Sequence, residues 1–104
     1  MMFDDKNFLQ EVLKDKDLVL VDFFASWCGP CQALIPIIEE LTKDYEGKVK
    51  IGKLNVEESL ETAQNYDVMN LPTLIFFRDG KEIERVLGFH SKEELKAKID
   101  NLLK

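Results

Sequence analysis

Apolar residues follow two different rhythms along this chain. Leu18-Val19-Leu20-Val21 runs on through Asp22-Phe23-Phe24 almost without a polar break. A run that does not alternate predicts a strand covered on both faces. Leu34, Ile37, Ile38, Leu41 and Tyr45 instead recur at intervals of three and four. That spacing predicts an amphipathic helix from about Cys28 to Tyr45. Phe8, Leu9, Val12 and Leu13 show the same period behind Asp4 or Asp5, either of which suits an N-cap. Val49–Val56 predicts a second strand and Ser59–Asn65 a short helix. Thr73–Phe77 and Ile83–Leu87 predict strands joined across Asp79-Gly80, a hairpin signal. Ser91-Lys92-Glu93-Glu94 reads as a capping box opening a last helix, with Leu95, Ile99, Leu102 and Leu103 on one side. After the first helix the order is β-α-β-α-β-β-α. This is an α/β sheet that begins parallel and ends in an antiparallel hairpin.

Composition narrows the function. The chain has 104 residues, 45% hydrophobic, with 14 Lys+Arg against 20 Asp+Glu and a net charge of −6. One domain spanning residues 1–104 is expected at this length. The acidic balance argues against nucleic acid, whose phosphates need clustered cations, and against anionic membranes. Charged residues make up 33% of the chain, yet the sixteen residues Phe23–Ile38 and the ten residues Val68–Phe77 carry none. The longer window is short of the ~20 apolar residues of a membrane span and is interrupted by Ser26, Gly29, Pro30, Gln32 and Pro36. The N-terminal residues show no basic stretch followed by an apolar one, so a cytoplasmic address is expected.

Cys28 and Cys31 are the only cysteines. A bridge between positions three apart closes almost no loop and adds little stability. Two cysteines and one distant histidine, His90, do not complete a four-ligand zinc site within one chain, though a site shared between two chains remains open. Redox chemistry fits better. Cys28-Gly29-Pro30-Cys31 falls where the buried strand gives way to a helix, and Pro30 suits a helix's first turn. Cys28 then meets the positive end of the helix dipole and unpaired N–H groups, which favour a thiolate. Cys31 lies on the same face, within reach of a disulfide. The expectation is an exposed, low-pKa nucleophile with a second thiol behind it.

Other residues stand out against their surroundings. Asp22 is a lone carboxylate in an apolar strand, where desolvation raises a pKa. Lys53 shares strand parity with Val49 and Ile51, hence an apolar face. Pro72 belongs at a strand start, because it cannot donate to a ladder. Trp27 is expected as a partly exposed ring beside the nucleophile. His90 reads as a surface residue, Pro36 as a kink, and Glu57-Glu58 as a solvated helix start.

Val21-Asp22-Phe23-Phe24, Ala25-Ser26-Trp27-Cys28-Gly29-Pro30-Cys31, Lys53, Leu71-Pro72-Thr73, Gly80 and Gly88 together resemble the thioredoxin family across nearly the whole chain. The resemblance implies the thioredoxin fold, a central mixed sheet with helices on both faces. The first edge strand is expected to be shortened or absent, since only three residues precede Asp4. It implies a protein dithiol–disulfide oxidoreductase that reduces target disulfides through Cys28 and Cys31. Asp22 would assist proton transfer at Cys31, and Lys53 would tune Asp22. Trp27, Gly29, Pro30, Leu71, Pro72 and Gly88 would contact substrate, with a cis Leu71–Pro72 bond and the Leu71 backbone pairing an extended segment. No bound cofactor or metal is implied. A flavin-dependent thioredoxin reductase drawing on NADPH would restore the dithiol of a monomeric carrier. An oxidase or isomerase of the same fold, or a binding subunit, are the rival readings. Gln32 stands where the family commonly has Lys or Arg, and Met69-Asn70 where Arg and a small residue are usual.

Overall fold

The computed structural model describes residues 1–104. Five strands form one sheet: β1 (Met2–Phe3), β2 (Leu18–Phe24), β3 (Lys50–Asn55), β4 (Thr73–Arg78) and β5 (Lys81–Leu87). Their order is β1-β3-β2-β4-β5. β1 and β2 both run parallel to β3, whereas β4 is antiparallel to β2 and to β5. The antiparallel character therefore begins at the centre of the sheet, one strand earlier than a terminal hairpin alone would give. The first edge strand exists in its shortened form, two residues long. β4 turns into β5 through Asp79 and Gly80, both at positive φ, as a two-residue hairpin loop of this sequence requires.

Three α-helices accompany the sheet: α1 (Gly29–Asp44), α2 (Leu60–Asn65) and α3 (Lys92–Leu102). α1 is capped by Cys28 and runs unbroken through Pro36. α3 opens with the expected capping box between Ser91 and Glu94. Leu103 falls outside it and is exposed, so the expected stripe ends at half-buried Leu102. The first helical segment is only a π-helical turn, Leu9–Leu13, after a turn in which Asp4 Oδ1 accepts from the Lys6 and Asn7 amides.

Asp5 does something else. Ser59, the N-cap of α2, makes no side-chain capping bond. Asp5 Oδ1 instead accepts from the Thr62 amide at 2.9 Å and its hydroxyl at 2.6 Å, and Oδ2 from the Glu61 amide at 3.4 Å. These are the second and third amides of α2, so its cap comes from near the N-terminus, 57 positions from Thr62.

The sheet has two different faces. Leu18, Leu20, Ile51, Leu74 and Phe76 pack with Leu34, Ile38 and Leu41 of α1 and Leu95 and Ile99 of α3. Val19, Val21, Phe23, Leu54, Ile75 and Phe77 pack with Phe3, Phe8 and Val12, and with half-buried Tyr66 beyond α2. Alternation along β2 and β3 assigns Asp22 and Lys53 to the first face, beneath α1. No helix is long and apolar enough to cross a membrane.

Candidate active site

Cys28 and Cys31 are joined as a disulfide, with Cα atoms 5.3 Å apart. β2 ends at Phe24 and α1 starts at Gly29, so the pair sits on the strand-to-helix junction that the sequence indicates. The Cys31 amide, in the first turn of α1, donates to Cys28 Sγ at 3.2 Å. The nucleophile candidate is thus itself the helix N-cap, where an amide and the helix dipole both favour negative charge. Cys28 is only 5% exposed, not the open thiol expected, and Cys31 is fully covered. Ala25, Phe24, Val56 and Leu71 enclose the pair. Access comes through one cleft of about 460 Å³, in which Cys28 meets Trp27, Pro30, Val68, Met69 and Leu71. No charged side chain lines it.

Asp22 is completely buried, and neither carboxyl oxygen has a hydrogen-bond partner. Desolvation raises its pKa to about 7, against a smaller opposing pull from the Lys53 charge. Lys53 is the residue opposite Asp22 in the β2–β3 register. Its ammonium does not close onto the carboxylate; it lies 6.0 Å from the centroid of the Phe24 ring. Lys53 is half-buried and opens on a cleft of about 360 Å³ shared with Glu39, Thr42 and Lys43.

The Leu71–Pro72 bond is cis. Leu71 lines the cleft with Trp27, Gly29 and Pro30, while Pro72 is buried behind it. The Gly88 amide donates to the Pro72 carbonyl at 2.8 Å, and Thr73 Oγ1 to the Asn70 carbonyl at 2.5 Å. Gly88 therefore tethers this loop from behind and does not line the cleft. Trp27 is 71% exposed. His90 stays outside the site, contacting the Leu87 carbonyl and Glu94.

Sequence reasoning missed the brace around the motif. Glu57 is solvent-exposed as expected but does not start a helix: it precedes α2, and its Oε1 accepts from the Ser26 amide at 3.2 Å and hydroxyl at 3.0 Å. Gln32 Nε2 donates to the Ser26 carbonyl at 3.2 Å, giving that residue a positional role. Val56, Val68, Met69 and Asn70 also line the cleft. In the sequence the charge-free stretch from Val68 marks three of them, and Met69-Asn70 also stands out as a departure from the family pattern.

A family model described as Thioredoxin matches residues 1–101. The chain belongs to the thioredoxin family. Proteins named thioredoxin from Staphylococcus aureus strains Mu50 and N315 are 52% identical to it over 84 residues, covering 81% of this chain and 81% of theirs. The strain COL protein of the same name matches equally well. The mixed five-stranded sheet and the disulfide at the head of α1 are those of a thioredoxin fold.

Proposed function

We propose that this one-domain thioredoxin-family chain reduces disulfides in other proteins. The observation that carries the reading is the Cys28–Cys31 disulfide at a helix N-terminus, on the floor of an uncharged cleft. The active form is the dithiol. The Cys28 thiolate attacks one sulfur of a target disulfide, forming a mixed disulfide and releasing a target thiolate that takes up a proton. Cys31 then loses its proton, attacks Cys28 Sγ, and displaces the second target sulfur, also as a thiolate. The target gains two electrons and the chain returns to the bridged state.

Asp22 supplies the proton relay. A carboxyl with a pKa of about 7 is present in both protonation states at neutral pH, which suits exchange with Cys31. Its burial on the α1 face of β2 and its unpartnered oxygens support that role. Lys53 keeps the carboxyl from rising further. Trp27, Gly29, Pro30 and Leu71 receive the target segment, with Pro72 and Gly88 holding the loop behind them. The partners are disulfide-bearing proteins and a thioredoxin reductase, flavin-dependent and fed by NADPH. The chain acts as a cytoplasmic monomeric electron carrier without a bound cofactor.

Reduction of insulin disulfides with dithiothreitol as electron source tests this directly. The wild type is expected to accelerate precipitation of the insulin chains, and Cys28→Ser to leave only the dithiothreitol background. Wild-type turnover at that background refutes the reductase reading. Stopped-flow kinetics test the relay: Asp22→Ala should slow resolution of the mixed disulfide more than its formation, and equal effects on both steps remove Asp22 from the mechanism.

A further inference from the structure

Cys28 is carried on a turn that has little to hold it from within. The Cys28 amide donates to the Ala25 carbonyl at 3.2 Å, closing a turn whose two central residues are Ser26 and Trp27. Both are exposed, so packing of their own side chains does not fix the turn. The Ser26 amide and carbonyl have no backbone partner. Yet every polar group of Ser26 is engaged. Its amide and hydroxyl donate to Glu57 Oε1, and its carbonyl accepts from Gln32 Nε2. Two side chains from other parts of the chain thus restrain one exposed residue.

The two grips have separate anchors. Gln32 lies near the start of α1, and its own amide donates to the Cys28 carbonyl at 3.2 Å. Glu57 follows the end of β3. There the Val56 amide donates to the Phe24 carbonyl at 2.9 Å, and the Glu57 amide to Asn55 Oδ1 at 2.9 Å. The turn is therefore tied to the helix on one side and to the sheet on the other. Cys28 stands between them, its sulfur accepting from the Cys31 amide. That amide favours a thiolate only while the turn keeps Sγ over the helix end. Glu57 also carries an anion that takes part in none of the molecule's ion pairs, and an anion opposes a thiolate. Its grip and its charge act on Cys28 with opposite signs.

We infer that Gln32 and Glu57 are positioning residues for the nucleophile. Through Ser26 they hold the reduced Cys28 at the head of α1, and this hold favours the thiolate more than the Glu57 charge opposes it. The inference rests on the reductase reading for its role in turnover, but it concerns the free dithiol and can fail separately.

The test is a pH titration of the reduced protein, freed of reductant and followed by ultraviolet thiolate absorbance. Gln32→Met is close in size and removes only the donor. Glu57→Ala removes acceptor and charge together, whereas Glu57→Gln keeps an acceptor oxygen and removes only the charge. The other charged side chains on the strands packed beside Cys28, Asp22 of β2 and Lys53 of β3, are the same in every variant. Gln32→Met and Glu57→Ala should each raise the thiolate midpoint by about half a pH unit, a loss of roughly threefold in thiolate below the midpoint. Glu57→Gln should leave the midpoint at or below the wild-type value. Each change replaces an exposed side chain, and thermal unfolding checks that the fold survives. A midpoint unmoved in Gln32→Met or Glu57→Ala, or lowered in Glu57→Ala as in Glu57→Gln, overturns the inference, because the grip then does not govern the thiol. Insulin turnover is read alongside. Midpoints as expected with turnover at the dithiothreitol background reject the reductase reading and leave the positioning role standing; unmoved midpoints with full turnover do the reverse.

Discussion

The two faces of the sheet solve different problems. The α1–α3 face is sealed by two long helices and filled mainly with aliphatic side chains. It holds Asp22, a carboxyl without a hydrogen-bond partner. The opposite face is covered by a π-helical turn and a six-residue helix, with Phe3 of the two-residue edge strand packing beside them. Such short elements bring little stability of their own. Aromatic contacts do the sealing: Phe8 and Tyr66 meet the Phe77 ring at 5.6 and 5.2 Å between centroids, both close to edge-on. A face enclosed by long helices can carry a destabilising group for chemistry. A face enclosed by short pieces depends on its own packing.

That contrast breaks first at Phe77. Phe77→Ala should cost about 3–5 kcal/mol in urea unfolding, because the ring is fully buried and is the shared partner of Phe8 and Tyr66. A loss below about 1 kcal/mol would show that the short elements stand without it.

Asp22→Ala probes the other face through pH. Its folded-state pKa is raised from 3.8 to about 7, so the native state holds the proton more tightly than the unfolded chain. Stability in the wild type therefore falls as pH rises from 4 to 7, and the loss is complete above that window. The variant lacks this loss. Its stability relative to wild type should climb across the window by a few kcal/mol, on the order of 1.4 kcal/mol for each pH unit separating the folded and unfolded pKa values. A pH-independent difference would show that Asp22 is solvated.

Asp5→Ala gives the smallest effect and the opposite slope. The hydrogen bond from Thr62 leads the causes that hold the Asp5 carboxyl below its usual value of 3.8. Its contribution is present above that value and is lost as pH falls through the lower folded-state pKa. The variant should lose about 1 kcal/mol at neutral pH, typical of an N-cap, and nothing in strong acid. Thermal unfolding at pH 7 and pH 2 separates the two cases.

Much of the fold is legible in the chain. The unbroken apolar run of β2, the period of α1, the Asp79-Gly80 turn and the Ser91–Glu94 box all form as their residues predict. Each is a local signal, carried by residues a few positions apart. The first helix falls short of its prediction because Phe8, Leu9, Val12 and Leu13 have helical spacing over too short a stretch to nucleate a full helix. Cys28 is less open than its motif suggests, because the motif says nothing about Val56 and Leu71, which close over it from other elements.

By itself the sequence determined the α/β order, the cysteine pair at a strand-to-helix junction, and an aspartate confined to an apolar strand. Periodicity and nearest-neighbour chemistry suffice for those. The tertiary structure alone decided that Asp5 caps a helix 57 positions away, that Glu57 grips Ser26 across 31, and that Lys53 faces Asp22 without touching it. Those pairings have no period, because they exist only after strands choose their neighbours. The same choice brings parts of the two charge-free windows together, making an uncharged cleft at the disulfide.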